Sequence, residues 1–82
     1  MDCRAVMAVR VEKRTKDAAR VQEALTKNGC IINVRLGLHE TRNVCADEGL
    51  ILLYLCGSKK EIAALKGDLR RIKGVRVKTM EL

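Results

Sequence analysis

The chain contains one unbroken apolar run, Leu50-Ile51-Leu52-Leu53-Tyr54-Leu55-Cys56. The run is too short to cross a membrane, which takes about 20 residues in a helix. A β-strand points successive side chains to opposite faces, so a strand of this composition is apolar on both faces. The helices of an 82-residue chain can cover only one of them. We therefore predict that the second face is covered by another copy of the protein.

The first half of the chain predicts a strand, a helix and a second strand. Apolar and other residues alternate over 4–12, with Met7, Val9 and Val11 facing one way. Residues 16–28 have helical spacing, and the pair Asn28-Gly29 is a common helix stop. Residues 30–39 alternate again. The predicted apolar side of this second strand consists of Ile32, Val34, Leu36 and Leu38, with Asn33, Arg35, Gly37 and His39 opposite.

The second half repeats this plan. Ser58 and Glu61 have the spacing of a capping box, which marks the start of a helix. Apolar residues then recur at helical spacing up to Gly74, and residues 75–80 alternate as a last strand. The order βαββαβ predicts an α+β, ferredoxin-like fold, a four-stranded antiparallel sheet with two helices on one face. We expect one domain over residues 1–82, with the first and third strands central.

Residues 61–79, from Glu61-Ile62-Ala63-Ala64-Leu65 to Val75-Arg76-Val77-Lys78-Thr79, resemble the C-terminal signature of the iron-only hydrogenase system regulators. Arg35-Leu36-Gly37-Leu38, followed by Arg42, resembles the second strand of that family. The resemblance implies an ACT-like fold, related to the effector domain of the nickel-responsive regulator, and a regulatory role. Gly67 lies inside the predicted helix, where glycine is costly, so we expect close backbone packing there.

Two uses of the exposed sheet face are open. One is an oligomer interface, giving a dimer or tetramer, built from Val6, Ala8, Leu50, Ile51, Leu52, Leu53, Tyr54 and Leu55. The other is a site for an amphipathic anion, such as a small-molecule effector, with an apolar floor and a polar rim. The residues predicted for that binding site are Arg35, Gly37, His39, Arg76 and Lys78.

The chain lacks the residues that other proteins of this topology use for their activities. A heavy-metal chaperone needs a CxxC motif after the first strand, and an acylphosphatase needs a glycine-containing phosphate loop there. Residues 12–17 contain neither cysteine nor glycine. A nickel site needs several histidines, and the chain has only His39. We therefore expect a regulatory or interaction module without enzymatic activity, metal or other cofactor.

Nucleic-acid binding is the alternative function. The net charge is +7, and the second helix contributes a basic surface that can contact phosphates without reading sequence. An RNA-binding sheet of this topology displays several aromatic residues, whereas this chain has one tyrosine and no phenylalanine or tryptophan. We expect at most weak, non-specific binding through Lys59, Lys60, Lys66, Arg70, Arg71 and Lys73.

The four cysteines, at positions 3, 30, 45 and 56, form no close-spaced pair. Because no leader or membrane segment is evident, we expect a cytoplasmic protein whose cysteines are reduced and mostly buried. A metal or cluster site built from Cys45 and Cys56, or formed across subunits, is the alternative.

Overall fold

The computed structural model describes residues 3–12, 14–38 and 49–82. These residues form four strands and two helices, with a short 3-10 turn at Gly29–Ile31. The elements are β1 (Cys3–Val11), α1 (Arg14–Lys27), β2 (Ile32–Leu38), β3 (Gly49–Cys56), α2 (Lys59–Arg70) and β4 (Val75–Glu81).

The strands form one antiparallel sheet in the order β2-β3-β1-β4. This order confirms the ferredoxin-like prediction, including the central positions of the first and third strands. The segment 30–39 begins as a 3-10 turn, so β2 starts two residues later than predicted. The polar connection predicted over 40–48 lies outside the described residues.

Helix α2 begins at the predicted capping box. The amide of Glu61 donates to Ser58 Oγ at 3.1 Å, and the amide of Ser58 donates to Glu61 Oε1 at 2.9 Å. These hydrogen bonds from Ser58 lower the pKa of the Glu61 carboxyl. After the helix, Gly74 has a φ of 86°, a conformation that favours glycine, and this turn directs the chain into β4.

The core lies between the two helices and one face of the sheet. Side chains at alternate positions of β1, including Met7 and Val9, are fully buried there. The core side of β3 consists of Leu53 and Leu55, which are buried, and Ile51, which packs against the cluster. These three residues were predicted as part of the oligomer interface. That placement is wrong, because alternation along β3 directs them toward the helices.

Gly67 is not closely packed in this fold. A Cβ built at Gly67 has no atom of another part of the described structure within 4 Å. Among the described residues, the expected close approach of another backbone to Gly67 is therefore not seen. The closely packed glycine is instead Gly57, where a Cβ would lie 2.6 Å from Ile31 Cγ2.

Candidate functional site

The face of the sheet opposite the helices, here called the open face, is the candidate site. Strand register determines which residues share a row across it. The first row is Val34, Tyr54, Val6 and Met80, and the second is Leu36, Leu52, Ala8 and Lys78.

Most of these residues form a continuous apolar band from one edge of the sheet to the other. The large hydrophobic residues that are exposed in the described structure are Val34, Leu36, Met80 and Leu82, each more than half exposed. The first three belong to the two rows. Leu82 follows Met80 at the two-residue period and donates its amide to the Arg4 carbonyl at 2.6 Å. The band can therefore bind an apolar surface. It comprises Val6, Ala8, Val34, Leu36, Leu52, Tyr54 and Met80.

One corner of the open face is positively charged. Arg10, Arg76 and Lys78 are exposed there, at the β1–β4 side of the sheet. Arg76 Nε lies 3.0 Å from Glu12 Oε1. The guanidinium still presents a largely exposed charge, since 76% of the Arg76 side chain is accessible. This cationic corner adjoins the apolar band, so the open face combines apolar and positively charged side chains.

The structure does not bring all the predicted ligand-binding residues together. Arg76 and Lys78 lie on the open face, but Arg35 and Gly37 pair with Leu53 and Ile51 and so share the helix side of the sheet. After Ile32, the side chains of β2 therefore point to the face of the sheet opposite to the one predicted. The cause is a register shift between Ile32 and Val34, because one extra residue moves all later side chains to the opposite face. His39 lies outside the described residues.

The predicted interface residues are divided by the same alternation. Val6, Ala8, Leu50, Leu52 and Tyr54 are partly exposed on the open face. Val34, Leu36 and Met80 extend this surface and were not predicted. The alternation of β2 and β4 signals apolar side chains at these positions, but it does not show on which face they lie.

A polar junction between the two helices is a further feature that was not predicted from the sequence. Asn28 Nδ2 donates to Asp68 Oδ2 at 3.1 Å and to the Ala24 carbonyl at 2.8 Å. Arg71 Nη1 lies 2.9 Å from Asp68 Oδ1, and Lys27 Nζ lies 3.6 Å from Asp68 Oδ2. The hydrogen bond from Asn28, supported by the charges of Lys27 and Arg71, lowers the pKa of Asp68. This junction fixes the end of α1 against α2.

The cysteines differ from the expectation of reduced, buried thiols. Cys56 is disulfide-bonded, and the backbone of Cys3 lies opposite it in the register of β1 with β3. Cys30 is free but exposed. The expectation of a reduced thiol is therefore wrong for Cys56, and the expectation of burial is wrong for Cys30. Cys45 lies outside the described residues. Disulfides are rare in most cytosolic proteins, so the cytoplasmic location stays a prediction.

Within the described ranges, no three His, Cys, Asp or Glu side chains group as metal ligands. No helix in the described part of the chain has the length and apolar character needed to cross a membrane.

The fold and open face define a small protein of ferredoxin-like architecture with an extended apolar surface on the sheet. A family described as "TM1266-like: Iron-only hydrogenase system regulator, putative" matches residues 4–79. The chain therefore belongs to the TM1266-like family, which confirms the resemblance seen in residues 61–79. The curated proteins contain no match.

Solved structures agree with this assignment. Uncharacterized protein TM1266 from Thermotoga maritima is 32% identical, with a TM-score of 0.86 over 98% of this chain and 96% of that one. CPII from Thiomonas intermedia K12 is a nitrogen regulatory PII-like protein bound to ADP, AMP and bicarbonate. It is 10% identical, with a TM-score of 0.59 over 96% of this chain and 89% of that one. The divalent ion tolerance protein CutA1 from Ehrlichia chaffeensis is 14% identical, with a TM-score of 0.57 over 100% of this chain and 83% of that one. CPII and CutA1 share the fold with this chain.

Proposed function

We propose that this protein is a non-enzymatic regulatory module of an iron-only hydrogenase system and that it acts as a homo-oligomer. Membership of the TM1266-like family supports the regulatory role. The apolar band on the open face supports the oligomer, and it is the observation on which the proposal chiefly rests. Two copies would pack with their open faces together, about 10 Å apart, as stacked sheets do.

The exposed side chains give this association a driving force. Val34 and Leu36 are about half exposed, and Met80 is 60% exposed. Full burial of such a side chain is worth roughly 1.5–3 kcal/mol, so covering the exposed half returns about 1 kcal/mol each. Both copies contribute, and the partly exposed Leu52 and Tyr54 add to the sum. The total is comparable to the stability of a small domain.

The cationic corner adds an effector site to the proposal. Lys78 and Arg76 lie beside the apolar band, and in a face-to-face oligomer they would border the interface. A small anionic, partly apolar effector would contact these cations and the band at the same time. Binding there would change the stability of the oligomer, because ligands that bind one assembly state shift the equilibrium toward it.

Sedimentation velocity tests the interface. We expect the unaltered protein to sediment as an oligomer at micromolar concentration and Leu36→Lys to sediment as a folded monomer. Ala64→Lys is the matched control, since it adds the same charge at an exposed position of α2. A monomeric unaltered protein, or an oligomeric Leu36→Lys, would contradict the proposed interface.

The regulatory role needs a test in the host. Replacing the gene with the Leu36→Lys form should alter hydrogenase activity in the same direction as deleting it, whereas Ala64→Lys should leave activity unchanged. If hydrogenase activity and hydrogenase expression are the same in the deletion strain as in the unaltered strain, the regulatory role is refuted. This result would say nothing about the oligomer.

The basic surface of the helices favours non-specific nucleic-acid binding as the second candidate. Lys59, Lys60, Arg70, Arg71 and Lys73 are exposed on α2 and the turn after it. We expect weak affinity for duplex DNA that falls steeply with salt and is lost in the triple variant Lys66→Glu/Arg70→Glu/Lys73→Glu. Tight binding to one defined sequence at about 150 mM salt would contradict both this non-specific candidate and the regulatory module, and would indicate a sequence-specific nucleic-acid-binding protein.

A further inference from the structure

Strand β4 forms one edge of the sheet and carries unpaired backbone groups. The hydrogen bonds at its two ends, from the Glu12 amide to Gly74 and from the Leu82 amide to Arg4, fix the phase of its pairing with β1. In an antiparallel pair, every second residue directs its amide and carbonyl to the partner strand. Even-numbered residues of β4 therefore bond to β1. The residues that direct both groups toward the free edge are Val77, Thr79 and Glu81.

A groove of about 370 Å³ lies beside this edge, between α2 and β4. Its volume is within the range of ligand-binding clefts. Thr79 and Glu81 line it from the strand, because their register partners Met7 and Ala5 mark the helix side of the sheet. From the helix, the groove is lined by Lys59, Ile62, Ala63 and Lys66.

The groove has an apolar centre and two positive ends along the helix. Lys59 and Lys66 are seven positions apart on α2, which corresponds to about 10.5 Å along the axis, and Ile62 and Ala63 lie between them. Neither lysine has an ion-pair partner within the described part of the chain. Thr79 Oγ1 is buried there without a hydrogen-bond partner. Glu81 is the acidic residue among those lining the groove.

We propose that this groove and edge bind an extended acidic segment of a partner protein, which adds to β4 as a fifth strand. The free amides and carbonyls of Val77, Thr79 and Glu81 offer six hydrogen bonds to such a strand. Its side chains at alternate positions face the helix, and three of them span about 13.5 Å. The matching pattern is acidic–x–apolar–x–acidic, with the carboxylates near Lys59 and Lys66 and the apolar residue near Ile62.

The charges favour this occupant over a second copy of the chain. Edge-to-edge pairing of two β4 strands would bring Arg76 and Lys78 of both copies close together, and like charges on paired strands are destabilising. Lys59 and Lys66 outnumber Glu81 among the residues lining the groove, so the groove keeps a net positive charge that favours an acidic partner. The groove lies on the helix side of the sheet, opposite the open face that the proposed oligomer would use.

Fluorescence anisotropy with synthetic peptides tests the site. The probe is a fluorescein-labelled ten-residue peptide with the central sequence Glu-Thr-Val-Thr-Glu. We expect this peptide to bind. The same peptide with Lys in place of both Glu residues should have an affinity at least about tenfold lower. Replacing the central Val by Pro removes a backbone donor and should also abolish binding.

Matched protein variants and amide exchange locate the contact. Lys59→Glu/Lys66→Glu should weaken binding of the Glu peptide about tenfold. Lys60→Glu/Lys73→Glu has the same net charge outside the groove and should leave binding unchanged. Addition of the peptide should slow amide exchange at Val77, Thr79 and Glu81. The amides of Arg76 and Lys78 already bond to β1 and serve as internal references.

Three results would overturn the proposal. They are equal binding of the Glu and Lys peptides, unchanged exchange at Val77, Thr79 and Glu81, and equal effects of the two double variants. Slow, concentration-dependent exchange at the same three amides without peptide would instead identify a second copy as the occupant and would equally overturn it.

Discussion

Replacing Gly67 by alanine should stabilise the protein, although the glycine lies in the part of the sequence that carries the family signature. Gly67 is an interior residue of α2, and a Cβ at this position meets no atom of another part of the described structure within 4 Å. Alanine is better than glycine in a helix interior by about 0.8–1.0 kcal/mol, because the unfolded chain has less freedom to lose. In a domain of this size, that gain raises the unfolding midpoint by about 4–8 °C.

Gly57→Ala is the matched comparison and should have the opposite sign. Its Cβ would lie 2.6 Å from Ile31 Cγ2 and 3.1 Å from Ile31 Cβ. Ile31 is buried and branched at Cβ, so it cannot move aside easily. Overpacking of this kind costs about 1–3 kcal/mol.

Thermal unfolding followed by circular dichroism measures both effects. All proteins should be compared at one concentration, because association makes the midpoint concentration-dependent. A lower midpoint for Gly67→Ala would refute the reasoning. It would mean that another molecule approaches the α2 backbone at Gly67 and supplies the close packing that the described structure lacks.

Two further substitutions test polar groups in the fold. Thr79→Val should raise the free energy of unfolding by about 1 kcal/mol, because a methyl group replaces a buried hydroxyl that lacks a hydrogen-bond partner. Urea titration measures this change, and a loss of stability would show that the hydroxyl is hydrogen-bonded. Asp68 has a lowered pKa in the folded state, so its carboxylate stabilises the protein above the unfolded pKa, and this stability is lost as pH falls through the folded pKa. On acidification, the free energy of unfolding of Asp68→Asn should therefore fall less than that of the unaltered protein, as measured by urea titration. Equal losses in the two proteins would contradict the role of the Asn28–Asp68 junction.

The features predictable from sequence were those that depend on neighbouring residues. The capping box of Ser58 and Glu61 joins positions three apart, and the apolar run of β3 defines a central strand by composition. The Asn28–Asp68 junction joins positions 40 apart and depends on how the helices meet, so local patterns could not reveal it.

The facing of β2 was predicted in reverse because of one local irregularity. Strict alternation puts Ile32 and Val34 on the same side, but the register shift between them places Ile32 toward the core and Val34 on the open face. The shift places Arg35 on the helix side, and β2 is also at the opposite edge of the sheet from the Arg76 and Lys78 strand. A single unpaired residue leaves no clear mark in sequence, yet it decides which residues form a site.

Tyr54 provides the most direct measurement of the central claim, that the open face is covered by another copy. It is the only aromatic residue of the chain and lies in the apolar band between Val34 and Val6. Its fluorescence can be quenched by acrylamide only where the face is accessible. We predict weak quenching at micromolar concentration, rising on dilution to the level of the Leu36→Lys variant. Equally strong quenching of both proteins at every concentration would contradict the claim.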